Sequence, residues 1–170
     1  IEDETFHCLD HAVFNAFIIQ IDSDASDPAR AVPALEMHLA KKTYQSADLR
    51  AEDAIRLAHL YRKTGKFPKL KTLVERELPL MSSEKAIYLR HELAITEVLE
   101  GELASALQTL EANLEGRPDN FFRGDLQFAV AIAERLGEAE TASRYISFIE
   151  ANYPSLRRPR PVPGIDGDAL

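Results

Sequence analysis

Two histidines and a cysteine near the start of the chain are the first residues whose spacing could support chemistry. His7 and His11 are four residues apart, so a helix would place both imidazoles on one face, at a spacing that can share a metal ion, and Cys8 lies between them in sequence. A closed site needs more ligands, and no downstream acid or histidine is spaced to supply the third. Such a pair more often belongs to an exposed or partly packed helix face. We therefore predict no metal site.

The chain carries no catalytic motif. There is no Gly-x-Ser-x-Gly, no glycine-rich phosphate-binding loop and no His-Glu-x-x-His, and the tripeptide Thr64-Gly65-Lys66 lacks the further glycine and the strand that a phosphate-binding loop needs. Cys8 is the only cysteine, which excludes an intrachain disulfide and a cysteine-built zinc or iron–sulfur site. We predict that the protein is not an enzyme, with no catalytic residues and no cofactor.

A basic stretch lies in the middle of an acidic chain. Between Arg62 and Arg76 six lysines and arginines accompany one acid, Glu75, whereas the formal net charge of the chain is −8. That net charge argues against non-specific binding of nucleic acid, which needs clustered cations. A basic run is most often a solvated face, and the alternative is a docking site for an acidic protein segment or an acidic neighbouring copy of the chain. The candidate basic patch consists of Lys63, Lys66, Lys69 and Lys71.

Composition favours a soluble, all-helical domain. The chain has 170 residues, of which 45% are hydrophobic and 28% charged, and Ala, Leu and Glu recur throughout. The longest apolar run is too short to span a bilayer, and nothing resembles a signal peptide. We predict no membrane insertion and expect a cytoplasmic location. Because the chain begins at Ile1 rather than Met, the alternative is a fragment tethered to a membrane by a segment upstream.

Three glycines reveal an internal repeat. Gly65, Gly101 and Gly137 are each 36 residues apart, and each ends an apolar-periodic segment and precedes another. The pattern of each copy therefore predicts a helical hairpin. The first helices carry stripes at i, i+3, i+4 and i+7, namely Ala54, Leu57, Ala58 and Tyr61, then Arg90, Leu93, Ala94 and Glu97, then Leu126, Ala129, Val130 and Ala133.

Stop and start signals set the bounds of the copies. Prolines 79, 118 and 154 are expected to end the second helices, and side-chain oxygens at Ala47-Asp48, at Ser82 or Ser83, and at Asp119 or Asn120 are expected to cap the first. The predicted organisation is three repeats at about 47–82, 83–118 and 119–154 within a region 47–156. Residues 1–46 are predicted to form a degenerate fourth hairpin, whose second helix buries Ala31, Ala34, Leu35, His38 and Leu39. Residues 157–170, rich in proline and arginine, are expected to be disordered.

The pattern resembles the tetratricopeptide repeat. The likeness rests on Leu57-Ala58, Tyr61, Gly65, Phe67, Leu70 and Val74 in the first copy, on Leu93-Ala94, Gly101, Ala106, Leu110 and Pro118-Asp119-Asn120 in the second, and on Ala129, Gly137, Ala142, Ile146 and Pro154 in the third. The usual tryptophan position of the family holds Ala54, Arg90 or Leu126, and the period exceeds the family's commonest length of about 34 residues. The resemblance implies an all-α, right-handed superhelical solenoid of about four hairpins, whose first helices line a concave groove.

In this family the groove usually holds a peptide or a partner protein. The resemblance places in the groove Ile55, His59, Arg62, Tyr88, His91, Ile95 and Gln127, with Val98 beside them. The alternative is that the N-terminal hairpin or the tail covers these positions. Ile55 and His59 occupy places where the carboxylate clamp of some co-chaperones needs lysine and asparagine, so we do not expect that clamp.

The function expected from the resemblance is a non-catalytic scaffold that recruits a protein or peptide into a larger assembly. A structural or oligomerising module, which would form a homodimer through an apolar N-terminal helix or a convex face, is one alternative. A soluble domain of a membrane-anchored bacterial secretion, pilus or polysaccharide-export component is another.

Overall fold

A computed structural model describes residues 28–40, 44, 46–114 and 123–153 of the chain. These residues are all-α, with no strand among them, which confirms the all-α part of the predicted fold class. The helices are α1 (Pro28–Ala40), α2 (Ala47–Lys63), α3 (Phe67–Glu77), α4 (Ser83–Leu99), α5 (Leu103–Leu114), α6 (Arg123–Leu136) and α7 (Ala139–Asn152), and a short 3-10 turn, Leu78–Leu80, follows α3. The predicted helix around His7 and His11, the cap at Asp119 or Asn120, Pro118, and the tail from Pro154 lie outside the described residues.

The three spaced glycines end α2, α4 and α6 in the same way. Gly65, Gly101 and Gly137 have φ values of 67°, 81° and 75°, in the left-handed region that favours glycine. After each glycine the next amide donates to the carbonyl five residues back, from Lys66 to Tyr61 at 2.8 Å, from Glu102 to Glu97 at 2.8 Å and from Glu138 to Ala133 at 2.9 Å. The predicted 36-residue spacing of helix-to-helix turns is confirmed.

Helix starts agree with the sequence only in part. The cap of α2 is Ser46, whose Oγ accepts from the Leu49 amide at 3.2 Å, one residue before the predicted Ala47-Asp48. Alanine has no side-chain acceptor. Asp48 already lies in the first turn, where its negative charge interacts favourably with the helix dipole and stabilises the helix. At α4 the Lys85 amide donates to the predicted Ser82 at 3.4 Å.

The chain divides into two compact units, Ile1–Leu89 and Arg90–Leu170, with the boundary inside α4. In unit 1, α2 packs against both α1 and α3. Apolar residues of these three helices form its core, and the predicted stripe of α2 is buried. The most buried members are Ala31, Val32, Leu35, Ala54, Leu57, Ala58 and Leu70.

Unit 2 has its own core. Its α6 packs against both α5 and α7, and the last two turns of α4 contribute Ala94 and Val98 to the same cluster. Val98 is 6% exposed, which contradicts its expected position in a groove. The reason is that Ala94 and Val98, four residues apart, form one apolar stripe on the buried face of α4. The remaining members of the core are Ala106, Leu107, Leu110, Leu126, Phe128, Ala129, Val130, Ile132, Ala133, Ala142 and Tyr145.

Candidate functional site

Three of the predicted groove residues share one face of α2, and a fourth lies on α4 within the same unit. Ile55, His59 and Arg62 follow Glu52 at intervals of three, four and three residues, so all four side chains lie along one side of α2, and all are half-buried. On α4, Tyr88 lies one turn after Lys85. We call this set the α2–α4 face of unit 1: Glu52, Ile55, His59, Arg62, Lys85 and Tyr88.

An ion pair joins the two helices of the α2–α4 face. The Nζ of Lys85 lies 2.7 Å from Oε1 of Glu52. This hydrogen bond raises the pKa of Lys85 above its usual value, against the opposing effect of burial. Farther along α2, the guanidinium of Arg62 donates to Nδ1 of His59 at 3.1 Å, and this requires that Nδ1 carry no proton. The face is therefore polar at both ends of α2, with Ile55 between them.

Tyr88 is the most exposed aromatic side chain of the α2–α4 face, at 44%. Its ring presents apolar surface and its hydroxyl can donate and accept, a combination that is enriched where proteins bind one another. Together with Ile55 it provides apolar contact area flanked by the charges of Lys85 and Arg62. Such an arrangement can hold a peptide by packing and hydrogen bonding.

The other three predicted groove residues lie in unit 2, and two of them contact their own unit. Nδ1 of His91 bonds to Oδ1 of Asp125, a carboxylate that is 1% exposed and also accepts from Nδ2 of Asn113 at 3.3 Å. Ile95 packs partly against the unit 2 core, and Gln127 is half-buried. His91 therefore links α4 to α6, a structural role that the sequence did not indicate.

The basic patch is partly paired within unit 1. Nζ of Lys69 donates to Oε1 of Glu36 on α1 at 2.8 Å and lies 5.8 Å from the centre of the Tyr61 ring. The Tyr61 hydroxyl donates to the same oxygen at 2.6 Å. These two hydrogen bonds, that from Lys69 first, lower the pKa of Glu36. Lys63 and Lys69 are exposed, and Lys66 and Lys71 are half-buried.

Besides the Asp125 cluster, two further clusters around buried carboxylates were not predicted. Asp53 of α2 is 1% exposed, and its Oδ2 lies 2.7 Å from Nδ1 of His38 and accepts from the Tyr44 hydroxyl at 3.1 Å. Burial, followed by the charge of Asp53, raises the pKa of Tyr44 well above its usual value. His38 was expected on the apolar face of α1, and a buried polar side chain on such a face requires a partner. That requirement is the signal that could have indicated this cluster.

The second cluster surrounds Glu77, which is also 1% exposed. Arg50 of α2 donates to both oxygens of Glu77, from Nε and from Nη2, at 2.7 Å each, and Arg76 adds a bond at 2.7 Å. A bidentate pair of this kind fixes α3 against α2. Both clusters hold helices of unit 1 together, the first joining α1 to α2 and the second α2 to α3.

Over the described residues, no three His, Cys, Asp or Glu side chains are placed to hold a metal ion. None of the described helices combines the length and apolar character needed to cross a bilayer. No protein-family model matches the chain, and no curated protein or solved structure matches it.

Proposed function

We propose that the protein is a non-catalytic scaffold whose helical hairpins stack as a tetratricopeptide-like, right-handed solenoid and bind a peptide or partner protein. The observation that carries this proposal is the recurrence of one turn geometry, with the same glycine and the same hydrogen bond, at 36-residue intervals. A hairpin alone buries only one of its faces, so hairpins repeated along a chain are stable when they stack. Stacked first helices leave a continuous surface for a ligand.

Within this proposal the α2–α4 face of unit 1 is the main binding surface. Ile55 and Tyr88 are its apolar anchors, and Arg62 and Lys85 supply charge at its margins. We assign a smaller role to His91, Ile95 and Gln127 of unit 2, because the first two already contact other residues of that unit.

Site-specific photocrosslinking tests the assignment. A photoreactive phenylalanine derivative replaces Tyr88 in the full chain, and in a matched control it replaces Ile146 of α7, which is 38% exposed compared with 44% for Tyr88. We expect a discrete protein adduct from position 88 alone. Adding Ile55→Lys to the position 88 variant should remove that adduct without loss of helicity by circular dichroism.

The proposal is overturned by two results. Equal adducts at positions 88 and 146 would show that crosslinking depends only on the exposure of the side chain. The absence of any adduct at position 88 in cell extracts that contain the natural partners would show that the α2–α4 face is not a binding surface.

A further inference from the structure

Two of the repeated turns carry opposite charge. The basic turn, between α2 and α3 of unit 1, presents Lys63 and Lys66, and the acidic turn, between α6 and α7 of unit 2, presents Glu134, Glu138 and Glu140. The two turns have the same backbone hydrogen bond, so Lys66 and Glu138 occupy equivalent positions one residue after the glycine. The two turns therefore present opposite charges at equivalent backbone positions.

Helix stability accounts for only part of each turn. Lys63 lies in the last turn of α2, where positive charge is favourable, whereas Glu134 lies in the last turn of α6, where negative charge is unfavourable. Glu138 occupies the N-cap position of α7 and Glu140 lies in its first turn, where a negative charge interacts favourably with the positive end of the helix dipole. In contrast, Lys66 caps α3, and the first turn of α3 contains no acid. Positive charge there opposes the dipole and weakens the helix. A local rule that is broken without compensation is expected at functional sites.

The side chains of both turns are available. Glu134, Glu138, Glu140 and Lys63 are exposed, and Lys66 is half-buried. Within the part of the chain that the structure describes, none of these five makes an ion pair, although the charge of Lys66 also acts on Glu36, the carboxylate that the neighbouring Lys69 binds. Arg135, also exposed, is the one described cation between Glu134 and Glu140, so the acidic turn keeps an excess of negative charge.

We propose that the basic turn of one copy of the chain docks on the acidic turn of a second copy. A second copy fits as the partner because the acidic turn of the same chain supplies the exposed carboxylates that complement the basic turn. The proposed contact uses the ends of hairpins rather than the α2–α4 face, so it is independent of the proposed function.

A charge-swap experiment tests the contact on the full chain. Sedimentation analysis over a concentration series in about 0.15 M salt compares the natural chain with K63E/K66E and with E138K/E140K. We expect the natural chain to associate with increasing concentration, and each variant alone to associate about tenfold more weakly, because like charges then face each other. Circular dichroism checks that both variants remain helical.

Mixing the two variants is the decisive measurement. K63E/K66E keeps the natural acidic turn, and E138K/E140K keeps the natural basic turn, so a one-to-one mixture should associate as the natural chain does. Recovery in the mixture supports a contact between copies. A natural chain that stays monomeric up to about 1 mM, or a mixture that associates no better than its components, overturns the proposal. The remaining outcome is that an added acidic peptide binds the natural chain, while the natural chain and both variants sediment as monomers. In that case the partner is such a peptide and not a second copy.

Discussion

At the scale of single residues, the buried Glu77 joins α3 to α2 in unit 1. It holds Arg50 through two bonds of 2.7 Å while only 1% exposed, so its removal leaves a guanidinium without its partner in a half-buried site. We expect Glu77→Ala to lower the free energy of unfolding of unit 1 by about 3 kcal/mol. Urea unfolding followed by circular dichroism measures this loss.

The neighbouring Glu75 gives a matched control for that prediction. It lies on the same helix two residues away, and its side chain is exposed. Glu75→Ala should change stability by less than about 0.5 kcal/mol. Equal losses for the two variants would contradict the assigned importance of the Arg50–Glu77 pair.

Tyr145 makes unit 2 less stable as the pH becomes alkaline. Its hydroxyl donates to Glu111 at 2.8 Å, and burial, followed by this bond, raises the pKa of Tyr145 to about 12, above the ordinary value of 10.0. The folded chain therefore keeps a proton that the unfolded chain loses, so this contribution is complete below pH 10 and is lost as the pH rises towards 12. Denaturant midpoints at pH 9 and about pH 11 should differ more for the natural chain than for Tyr145→Phe.

The result for Tyr145→Phe separates this residue from other tyrosines. Burial also raises the pKa values of Tyr44 and Tyr61, both in unit 1, and their contributions persist in the variant. An identical alkaline loss in the variant and the natural chain would show that Tyr145 does not contribute.

At the scale of elements, the repeated turns depend on backbone conformation and not on space. Gly101 has a φ of 81°, yet a Cβ added there would meet no atom within 4 Å. Gly101→Ala should therefore cost about 1–2 kcal/mol through strain alone. Gly124 lies in the first turn of α6, also with open space and without a positive φ, so Gly124→Ala should stabilise unit 2 by about 0.5 kcal/mol. Thermal or urea unfolding of the two variants should show opposite signs.

The opposite signs of the two stability changes make that prediction easy to contradict. Both substitutions add the same methyl group to unit 2 at an uncrowded position, so a difference in side-chain burial cannot account for opposite results. If Gly101→Ala were as stable as the natural chain, the left-handed residue would not be essential to the turn.

The sequence predicted the helices and turns well because those features depend on nearby residues. Glycine spacing and apolar stripes are local signals, and they placed the turns at Gly65, Gly101 and Gly137. The clusters around Asp53 and Asp125 were missed because the histidines that bind them are 15 and 34 residues away, respectively. An acid beside an apolar stripe is ordinarily expected on a solvated face, and only the packing of helices shows that it is buried.

Glu97 shows what the sequence could predict and what it could not. The sequence placed it on the apolar stripe of α4 without giving it a partner. In the structure it is 6% exposed, and its two oxygens accept from the hydroxyls of Ser105 and Thr109 at 2.6 and 2.8 Å. The position was predicted by periodicity, whereas the hydrogen bonds depend on how α5 packs against α4. For the α2–α4 face, the resemblance to the tetratricopeptide repeat grouped Ile55, His59 and Arg62, but the Glu52–Lys85 pair required the structure.

At the scale of the whole molecule, net charge and local charge act in opposite directions on self-association. Two copies with a net charge of −8 repel each other over distances comparable to a protein diameter, whereas the basic and acidic turns attract each other only near contact. Salt weakens the two effects over different ranges. The screening length is about 30 Å at 0.01 M, about 8 Å at 0.15 M and about 3 Å at 1 M.

We therefore expect self-association to be strongest at intermediate salt. At 0.01 M the long-range repulsion is largely unscreened, and at 1 M the lysine–glutamate contacts are weakened as well, so the maximum should lie near 0.15 M. Sedimentation of the full chain at these three salt concentrations measures it. K63E/K66E, which adds negative charge and removes the attraction, should show no maximum, because salt then only relieves repulsion. A steady decrease from the lowest salt concentration in the natural chain would contradict this balance and would mean that the contact charges outweigh the net charge at every range.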